Sequence, residues 1–159
     1  MRVAVLDDYQ QVAAGLADWG RLGGEVVFFS DHLDEQASLV ERLAGFDVIV
    51  AMRERTPFDR PLLSALPNLR LLVTTGSRNS SIDMDAAKEL GVLVCGTASS
   101  GHATAELSFS LIQMLARNLM GEISGVRNGE WQLGLGRDLK ASVLGVVGMG
   151  RVGGQVAAY

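Results

Sequence analysis

Short apolar runs alternate with amphipathic segments along the first hundred residues of the chain. Five runs rich in Val, Ile and Leu have the length of buried strands, and the segments between them place apolar residues at helical spacing. Strands that alternate with helices in this way predict a parallel sheet with right-handed crossover connections. The predicted strands are residues 2–6, 25–29, 47–51, 69–73 and 92–95, and the predicted helices are 9–20, 34–44, 60–66 and 83–90.

Single residues at the ends of these segments predict where the helices begin and stop. Asp83 is of the type that caps a helix N-terminus, and Gly45 and Gly91 are placed to end the helices before them. Pro61 is tolerated because it lies in the first turn of a predicted helix. Residues 1–99 therefore indicate a doubly wound α/β domain, in which ligands gather outside the carboxyl ends of the strands. The loops at that edge follow Leu6, Ala51, Val73 and Cys95.

Residues 103–120 differ from the shorter helices before them. Leu107, Leu111 and Leu115 recur at helical spacing and predict one long amphipathic helix. Its apolar stripe is expected to pack within the chain or at a dimer interface. A polar, glycine-rich stretch follows over residues 125–141.

A glycine motif near the end of the sequence carries the clearest chemical signal. A predicted strand at 142–147 runs into Gly148, Gly150 and Gly153, and a helix-like segment follows. In a GxGxxG turn the first glycine allows the tight turn, the second admits a pyrophosphate, and the third lets the helix pack on the strand. A glycine-rich turn without a ligand is the alternative, because the acidic ribose-binding residue expected about 20 positions later is missing. Since the sequence stops at Tyr159, we expect it to belong to a longer polypeptide.

Charge and cysteine content restrict the partners and the compartment. Fourteen Lys and Arg residues against eighteen Asp and Glu give a net charge of −4, which attracts neither nucleic acid nor an acidic membrane surface. The single cysteine, Cys95, cannot form an internal disulfide, and we interpret it as a small apolar residue at a buried strand end. No apolar run approaches the roughly 20 residues of a membrane span, and no secretory signal opens the sequence. We therefore expect a cytoplasmic protein.

Several spaced segments together carry a family resemblance. They resemble, in the same order, the N-terminal half of the D-isomer-specific 2-hydroxyacid dehydrogenases, which include phosphoglycerate, D-lactate, glyoxylate/hydroxypyruvate and formate dehydrogenases. The matching segments are SIDMDAA at 81–87, GVLV at 91–94, TAE at 104–106, LARN at 115–118, NGEW at 128–131 and LGVVGMGRVG at 144–153.

The resemblance implies a fold in two parts. Residues 1–99 are expected to form a flavodoxin-like substrate domain built on a doubly wound parallel sheet. Residues 100–159 are expected to form an interdomain helix and then the first strand and glycine loop of a truncated Rossmann NAD-binding domain. The implied activity is reversible hydride transfer between NAD or NADP and a D-2-hydroxy acid or 2-keto acid, performed by a homodimer.

The resemblance also implies roles for individual residues. The loop after the fourth strand is expected to bind the substrate carboxylate through backbone amides, together with Arg53. Considered alone, Arg53 is equally an ion-pair partner for Glu54. Arg78-Asn79-Ser80 replaces the usual Gly-x-Asp sequence and adds a cation or amide near the site. The implied substrate-binding residues are Arg53, Gly76, Ser77, Arg78 and Ser100, and the cofactor-binding residues are Ser77, Thr104, Gly148, Gly150, Arg151, Val152 and Gly153.

The proton-transfer groups of the family lie downstream of the glycine loop. The resemblance therefore implies that the catalytic arginine, carboxylate and histidine are outside this chain. We accordingly expect the chain alone to be inactive, and we expect no metal site. His102 matches no family histidine, and we interpret it as a residue of the loop before the long helix. His32 is interpreted as an ordinary surface residue.

Two other classes of protein share features of this sequence. A non-catalytic, NAD-sensing regulator of the corepressor type could use the same scaffold, and the downstream histidine and carboxylate would distinguish it. The acidic pair Asp7-Asp8 could instead belong to a phosphoacceptor receiver domain. That class requires an Asp at the end of the third strand and a Lys after the fifth, and neither is present.

Overall fold

The structure is a computed structural model that describes residues 1–99 and 101–159. The chain divides into two compact units, a first of Met1–Ser99 and a second that extends to Tyr159. Ser100, to which the resemblance gives a substrate-binding role, lies outside the described residues.

The first unit is built on a five-stranded parallel sheet. The strand order is β2-β1-β3-β4-β5, which is the order of flavodoxin-like folds and confirms the predicted doubly wound architecture. Each strand begins and ends within two residues of its predicted bounds. The strands are β1 Arg2–Val5, β2 Glu25–Phe28, β3 Val48–Ala51, β4 Leu71–Thr74 and β5 Leu93–Gly96.

The sequence correctly predicts three of the four helices of this unit. They are α2 Gln36–Leu43, α3 Arg60–Ser64 and α4 Met84–Glu89. The Asp59 carboxylate caps α3 by accepting from the amide of Leu62 at 2.9 Å, and Asp83 caps α4 through Ala86 at 2.8 Å. Gly91 follows α4 with a φ of 73°, the left-handed conformation that commonly ends a helix.

The predicted helix at 9–20 is wrong. Only a short helix, α1 Ala13–Leu16, and a 3₁₀ turn at Trp19–Leu22 form there. Leu16, one of the apolar residues on which the prediction rested, is 77% exposed and so contributes little packing to hold a helix. The Trp19 indole instead donates to the carbonyl of Ala13 at 2.8 Å, across the gap between the two pieces.

An apolar core covers the centre of the sheet. Ile49 of β3 and Leu72 of β4 are fully buried and belong to one apolar cluster with side chains from the helices and loops. Burial of such side chains contributes on the order of 1.5–3 kcal/mol each. The core thereby fixes the strand ends from which the site loops leave. Other members of this cluster are Leu43, Phe58, Leu62 and Leu63.

Cys95 contradicts the expectation of a buried strand end, since it is exposed. The reason is topological, because β5 is the edge strand of the sheet and most of its residues are exposed in this chain.

Residues 101–159 of the second unit form three helices, α5 His102–Ala116, α6 Leu119–Arg127 and α7 Arg151–Ala158. The helix α5 covers most of the long helix predicted at 103–120, and the prediction is wrong only over its last residues. Asn118 breaks it with a left-handed φ of 48°, a conformation that Asn adopts more readily than most residues. The second piece, α6, continues into the stretch that the sequence had assigned to a polar connection.

One further prediction for this unit fails. Residues 142–147 do not form a strand, because a strand is held by a hydrogen-bonded neighbour and none of the described residues supplies one. Leu107, Leu111 and Leu115 are 61%, 48% and 82% exposed, so their stripe is not packed within the described part of the chain. The helix expected after the glycine motif is confirmed as α7.

Neither stretch of described residues contains a helix with the length and apolar character that crossing a bilayer requires.

Candidate carboxylate and phosphate sites

Arg53 lies at the carboxyl end of β3 in a constrained backbone conformation. Its φ is 55°, which is unusual for a side chain of this size. The backbone amide of Arg53 donates to Thr75 Oγ1 at 3.0 Å, and its guanidinium Nη1 donates to the Thr75 carbonyl at 3.3 Å. The loop after β3 is thereby attached to the loop after β4, and about half of the Arg53 side chain stays exposed to solvent.

Gly76 lies directly beside the Arg53 guanidinium. It has a φ of 132°, and a Cβ at this position would collide with Arg53 Nη1. The Gly76 amide donates to Thr97 Oγ1 at 2.8 Å, and its carbonyl accepts from the Thr97 amide at 2.9 Å. The structure therefore brings together two of the predicted carboxylate-binding residues, and only a glycine allows their approach.

Ser77 and Arg78 continue this loop and are exposed. Within the described residues, no acceptor takes a hydrogen bond from either backbone amide. Two amides and the guanidinium of Arg53 are thus available on the same pair of loops. A carboxylate can accept hydrogen bonds from donors of both kinds.

Asn79 holds the two loops together, a role that the sequence analysis missed. Its side-chain amide donates to the Arg53 carbonyl at 2.6 Å and to Thr74 Oγ1 at 3.0 Å, and its Oδ1 accepts from the Ser81 amide at 2.9 Å. The bond to Ser81 is of the Asx-turn type, and a turn-forming Asn after a strand was the available signal. The departure from the family sequence therefore supplies a structural clamp.

The alternative role of Arg53, an ion pair with Glu54, is present only at long range. Arg53 Nε lies 3.9 Å from Glu54 Oε2, and both side chains are exposed by 40% or more. A surface pair of this kind contributes from about 0 to 1 kcal/mol. Glu54 therefore competes little with an anion for the Arg53 guanidinium.

A cavity of about 420 Å³ adjoins the loop after β4. Polar side chains and the carboxyl ends of β4 and β5 line this cavity. An acid held at the loop therefore has room for a substituent. The lining includes Thr74, Ser77, Arg78, Asn79, Val94 and Gly96.

A second polar cluster lies at the carboxyl end of β1. Asp7 is 2% exposed, and its two carboxylate oxygens lie 2.7 Å from Thr56 Oγ1 and 2.7 Å from His32 Nδ1. The Asp7 carbonyl accepts from Arg55 Nη1 at 2.6 Å. The interpretation of His32 as an ordinary surface residue is wrong, because its ring is only 26% exposed and lies between Asp7 and Asp34. A short-range sequence pattern could not show a contact made across 25 residues.

The charge around this cluster acts on the neighbouring tyrosine. Desolvation, followed by the negative charge of Asp7, raises the pKa of the Tyr9 phenol above its ordinary value. The Arg55 guanidinium lies 4.3 Å from the centre of the Tyr9 ring and opposes part of this effect. Asp8 is separate from this group, since its carboxylate accepts from the amides of Val12 and Ala13 at 3.1 and 3.0 Å.

The glycine motif of the second unit forms a tight turn before a helix. Gly148 has a φ of 91°, Gly150 is the N-cap residue of α7, and a Cβ on Gly153 would collide with the Gly148 carbonyl. No atom lies within 4 Å of the position that a Cβ of Gly150 would take. The open space and the amides at the N-terminus of α7, which begins with Arg151 and Val152, suit a dinucleotide pyrophosphate.

The N-terminus of α5 lies beside α7 within the same unit. The Arg151 guanidinium lies close to Gly101, and the Gln155 side-chain nitrogen is 3.4 Å from His102 Nδ1. Thr104 is exposed in the first turn of α5. His102 is the first residue of α5 rather than part of the loop before it. The structure therefore gathers Thr104 and the glycine loop in one unit, while Ser77 belongs to the other.

Among the described residues, no group of three His, Cys, Asp or Glu side chains is arranged to hold a metal ion.

Known proteins share both the sequence and the fold of this chain. The family model described as the catalytic domain of D-isomer specific 2-hydroxyacid dehydrogenases matches residues 3–149. The chain is 35% identical over 121 residues to 4-methyl-2-oxopentanoate reductase A of Aspergillus oryzae, covering 70% of this chain and 37% of the relative. It is 30% identical over 136 residues to hydroxypyruvate reductase of Thermotoga maritima, and the match covers 84% of this chain and 44% of the relative.

A solved structure agrees with these sequence matches. The crystal structure of phosphoglycerate oxidoreductase from Vibrio cholerae o395 superposes with a TM-score of 0.90 and 40% identity, covering 99% of this chain and 52% of that one. The chain thus spans about half or less of the length of the proteins it matches. By its sequence and its fold, the chain belongs to the D-isomer specific 2-hydroxyacid dehydrogenase family.

Proposed function

We propose that this chain supplies the substrate-carboxylate site of an enzyme that transfers hydride reversibly between NAD(P) and a D-2-hydroxy acid or 2-keto acid. The observation that carries the proposal is the contact of Arg53 with Gly76 beside the amides of Ser77 and Arg78. A guanidinium binds a carboxylate through two parallel hydrogen bonds, and backbone amides add fixed donors without an ordering cost. A 2-oxo acid held there has its C2 at a defined place.

The names of the relatives agree in substrate chemistry. They are reductases of 4-methyl-2-oxopentanoate and hydroxypyruvate, which are both 2-oxo acids with different substituents. A small 2-oxo or 2-hydroxy acid is therefore the proposed substrate class. The exposed cation of Arg78, beside the cavity of about 420 Å³, favours a substituent that carries oxygen atoms.

We propose that NAD or NADP binds through the glycine loop of the second unit. Gly148, Gly150 and Gly153 would admit the pyrophosphate, with the amides of Arg151 and Val152 directed to it. When bound, the dinucleotide supplies the nicotinamide that accepts or donates hydride. Ser77 and Thr104 are proposed to contact its nicotinamide end.

The domain assignment follows from these roles. We propose that residues 1–99 form the substrate domain, and that residues 100–159 form the interdomain helix and the start of the NAD-binding domain. The exposed stripe of Leu107, Leu111 and Leu115 supports a homodimer, because an apolar face of this kind is a typical interface.

We further propose that the 159-residue chain binds the acid but does not turn it over. His32 is held between two carboxylates, and His102, at the start of α5, matches no histidine of the family. Oxidation of a 2-hydroxy acid by the purified chain with NAD would contradict this proposal.

The carboxylate site is tested by replacing Arg53. Titration of the chain with pyruvate, followed by backbone amide NMR shifts, gives a dissociation constant for each variant. We expect Arg53→Gln to weaken binding by about tenfold or more, because hydrogen bonds to a charged group contribute about 1.5–3 kcal/mol. Arg53→Lys keeps the charge but loses the planar fork, and it should give an intermediate value.

The matched control is Arg70→Gln. Arg70 is exposed and directly precedes β4, so it lies at the amino end of the strand whose carboxyl end holds the site. The Arg70→Gln substitution changes the net charge by the same amount as Arg53→Gln and should leave pyruvate binding unchanged. Equal effects of the two variants would show that binding depends on overall charge and not on this site.

A further inference from the structure

Asp7 is a buried carboxylate that the proposed function does not use. It is 2% exposed at the carboxyl end of β1, and its φ of 56° places it in the left-handed region. A buried charge is destabilising unless it is paired and hydrogen bonded, and a left-handed non-glycine residue adds backbone strain. Both the buried charge and the left-handed backbone of Asp7 therefore need support from the residues that contact it.

Two of these partners belong to the loop that carries Arg53. Thr56 Oγ1 donates to Asp7 Oδ2 at 2.7 Å, and Arg55 Nη1 donates to the Asp7 carbonyl at 2.6 Å. Thr56 is 2% exposed, so this contact is made in the interior. The amide of Arg55 also donates to the carbonyl of Met52 at 3.3 Å, which closes a turn around Arg53. Asp7 therefore holds the C-terminal side of that turn.

The other side of the same turn is held by β4. The Arg53 amide donates to Thr75 Oγ1, and the Arg53 carbonyl accepts from Asn79 at 2.6 Å. The strained backbone of Arg53 thus lies between two attachments, one to the loop after β4 and one to the end of β1. Without either attachment, the strained conformation of Arg53 would lose part of its support.

We propose that Asp7 is a positioning residue for substrate binding, which holds the Arg53 guanidinium at the carboxylate site through its hydrogen bonds to Thr56 and Arg55. This inference rests on the proposed function, since it assumes that Arg53 binds the substrate carboxylate. His32 completes the arrangement, because its ring nitrogens lie 2.7 Å from Asp7 Oδ1 and 3.3 Å from Asp34 Oδ1. That contact fixes the rotation of the Asp7 carboxylate and leaves Oδ2 directed at Thr56.

The test compares paired variants of the 159-residue chain with pyruvate as the probe. Thr56→Val removes the hydroxyl at nearly constant shape, and Thr56→Ser retains it. Asp7→Ala removes the carboxylate that accepts from Thr56 and keeps the backbone carbonyl that accepts from Arg55. Asp7→Asn retains one side-chain oxygen for Thr56. We expect pyruvate binding about fivefold weaker in Thr56→Val and Asp7→Ala, because a smaller fraction of molecules holds Arg53 in the competent position. Thr56→Ser and Asp7→Asn should restore binding to within about twofold.

The matched control is Asp8→Ala. Asp8 is the chain neighbour of Asp7 and is nearly as buried, at 4% exposed, but its carboxylate contacts only the start of α1. Asp8→Ala should lower the stability of the chain and leave pyruvate binding unchanged. A loss of binding in Asp8→Ala equal to that in Asp7→Ala would overturn the proposal, since general destabilisation would then explain both.

A spectroscopic readout separates positioning from stability. The backbone amide shift of Arg53, recorded without pyruvate, should move in Thr56→Val and return in Thr56→Ser. In the unsubstituted chain, saturation with pyruvate should shift the imidazole signal of His32, because coupling between two sites is reciprocal. This second measurement needs no variant to fold, and an unmoved His32 signal at saturation would overturn the inference.

Failure of the inference and failure of the proposed function give different results. If Arg53→Gln binds pyruvate as the unsubstituted chain does, the carboxylate site itself is wrong. If Arg53→Gln weakens binding and Thr56→Val does not, the site stands and the role of Asp7 is wrong.

Discussion

Gly76→Ala would have two separate effects at the carboxylate site. It would strain the backbone of residue 76, and it would displace the Arg53 guanidinium. The new methyl group would collide with Arg53 Nη1, and the residue would have to keep a φ of 132°. The collision is relieved cheaply in stability terms, because the guanidinium is the far end of a flexible, half-exposed side chain. The backbone requirement is not relieved, and strain of this kind costs about 1–3 kcal/mol.

The two effects should appear in different measurements. Urea unfolding should show a loss of about 1–3 kcal/mol in the free energy of unfolding. Pyruvate titration should show binding weakened by at least about tenfold, because the displaced guanidinium no longer donates its charged hydrogen bonds. Binding should therefore fall by more than the loss of folded protein explains.

Gly91→Ala provides the control for strain alone. Gly91 also has a positive φ, of 73°, but no atom lies within 4 Å of the position its Cβ would take. A left-handed alanine there should cost about 1–2 kcal/mol of stability and leave pyruvate binding unchanged. Unchanged pyruvate binding in Gly76→Ala, or an equal loss in Gly91→Ala, would refute the argument that Gly76 is required for the approach of Arg53.

Two further predictions concern stability away from the site. Asp83→Ala removes the cap of α4 and should lower the free energy of unfolding, measured in urea, by about 0.5–2 kcal/mol. Asp83→Asn keeps a capping oxygen and should retain most of this stability. The Arg42 guanidinium bonds to both oxygens of Asp31, at 3.0 and 2.6 Å, and holds the pKa of that carboxyl below its ordinary value. Because the folded pKa is the lower one, the contribution is present above the unfolded pKa and is lost as the pH falls through the folded pKa. Unfolding curves of Asp31→Asn should therefore differ from those of the unsubstituted chain at neutral pH and converge with them in acid, and a constant difference at every pH would contradict this.

The sheet could be predicted from the sequence because local pattern and global fold agree there. Runs such as Val48-Ile49-Val50 are short, β-branched and bounded by turn residues. A run of this kind is the sequence pattern of a strand buried in a parallel sheet. The caps Asp83 and Gly91 were equally local, since each acts within three residues of its own position. The strand order itself came with the family resemblance and not with the periodicity.

Failures of prediction have identifiable physical causes. The apolar spacing that suggested one helix over 103–120 continues across Asn118, but the backbone turns there because Asn tolerates a left-handed conformation. Residues 142–147 have the composition of a strand, yet composition cannot provide the neighbouring strand that would pair with them.

The candidate site also contains some residues that could be predicted from the sequence and others that could not. Arg53 and Gly76 came from the resemblance to the family, and the structure places them in contact. Asn79, His32 and the role of Asp7 were not found, because each depends on contacts between loops that are distant in sequence.

The measurement that tests the account most directly is a map of amide shifts in the unsubstituted chain at saturating pyruvate. We expect the largest shifts at the amides of Ser77 and Arg78, together with a shift of the Arg53 side-chain Nε signal. Saturation without movement of these signals, or the absence of binding, would contradict it.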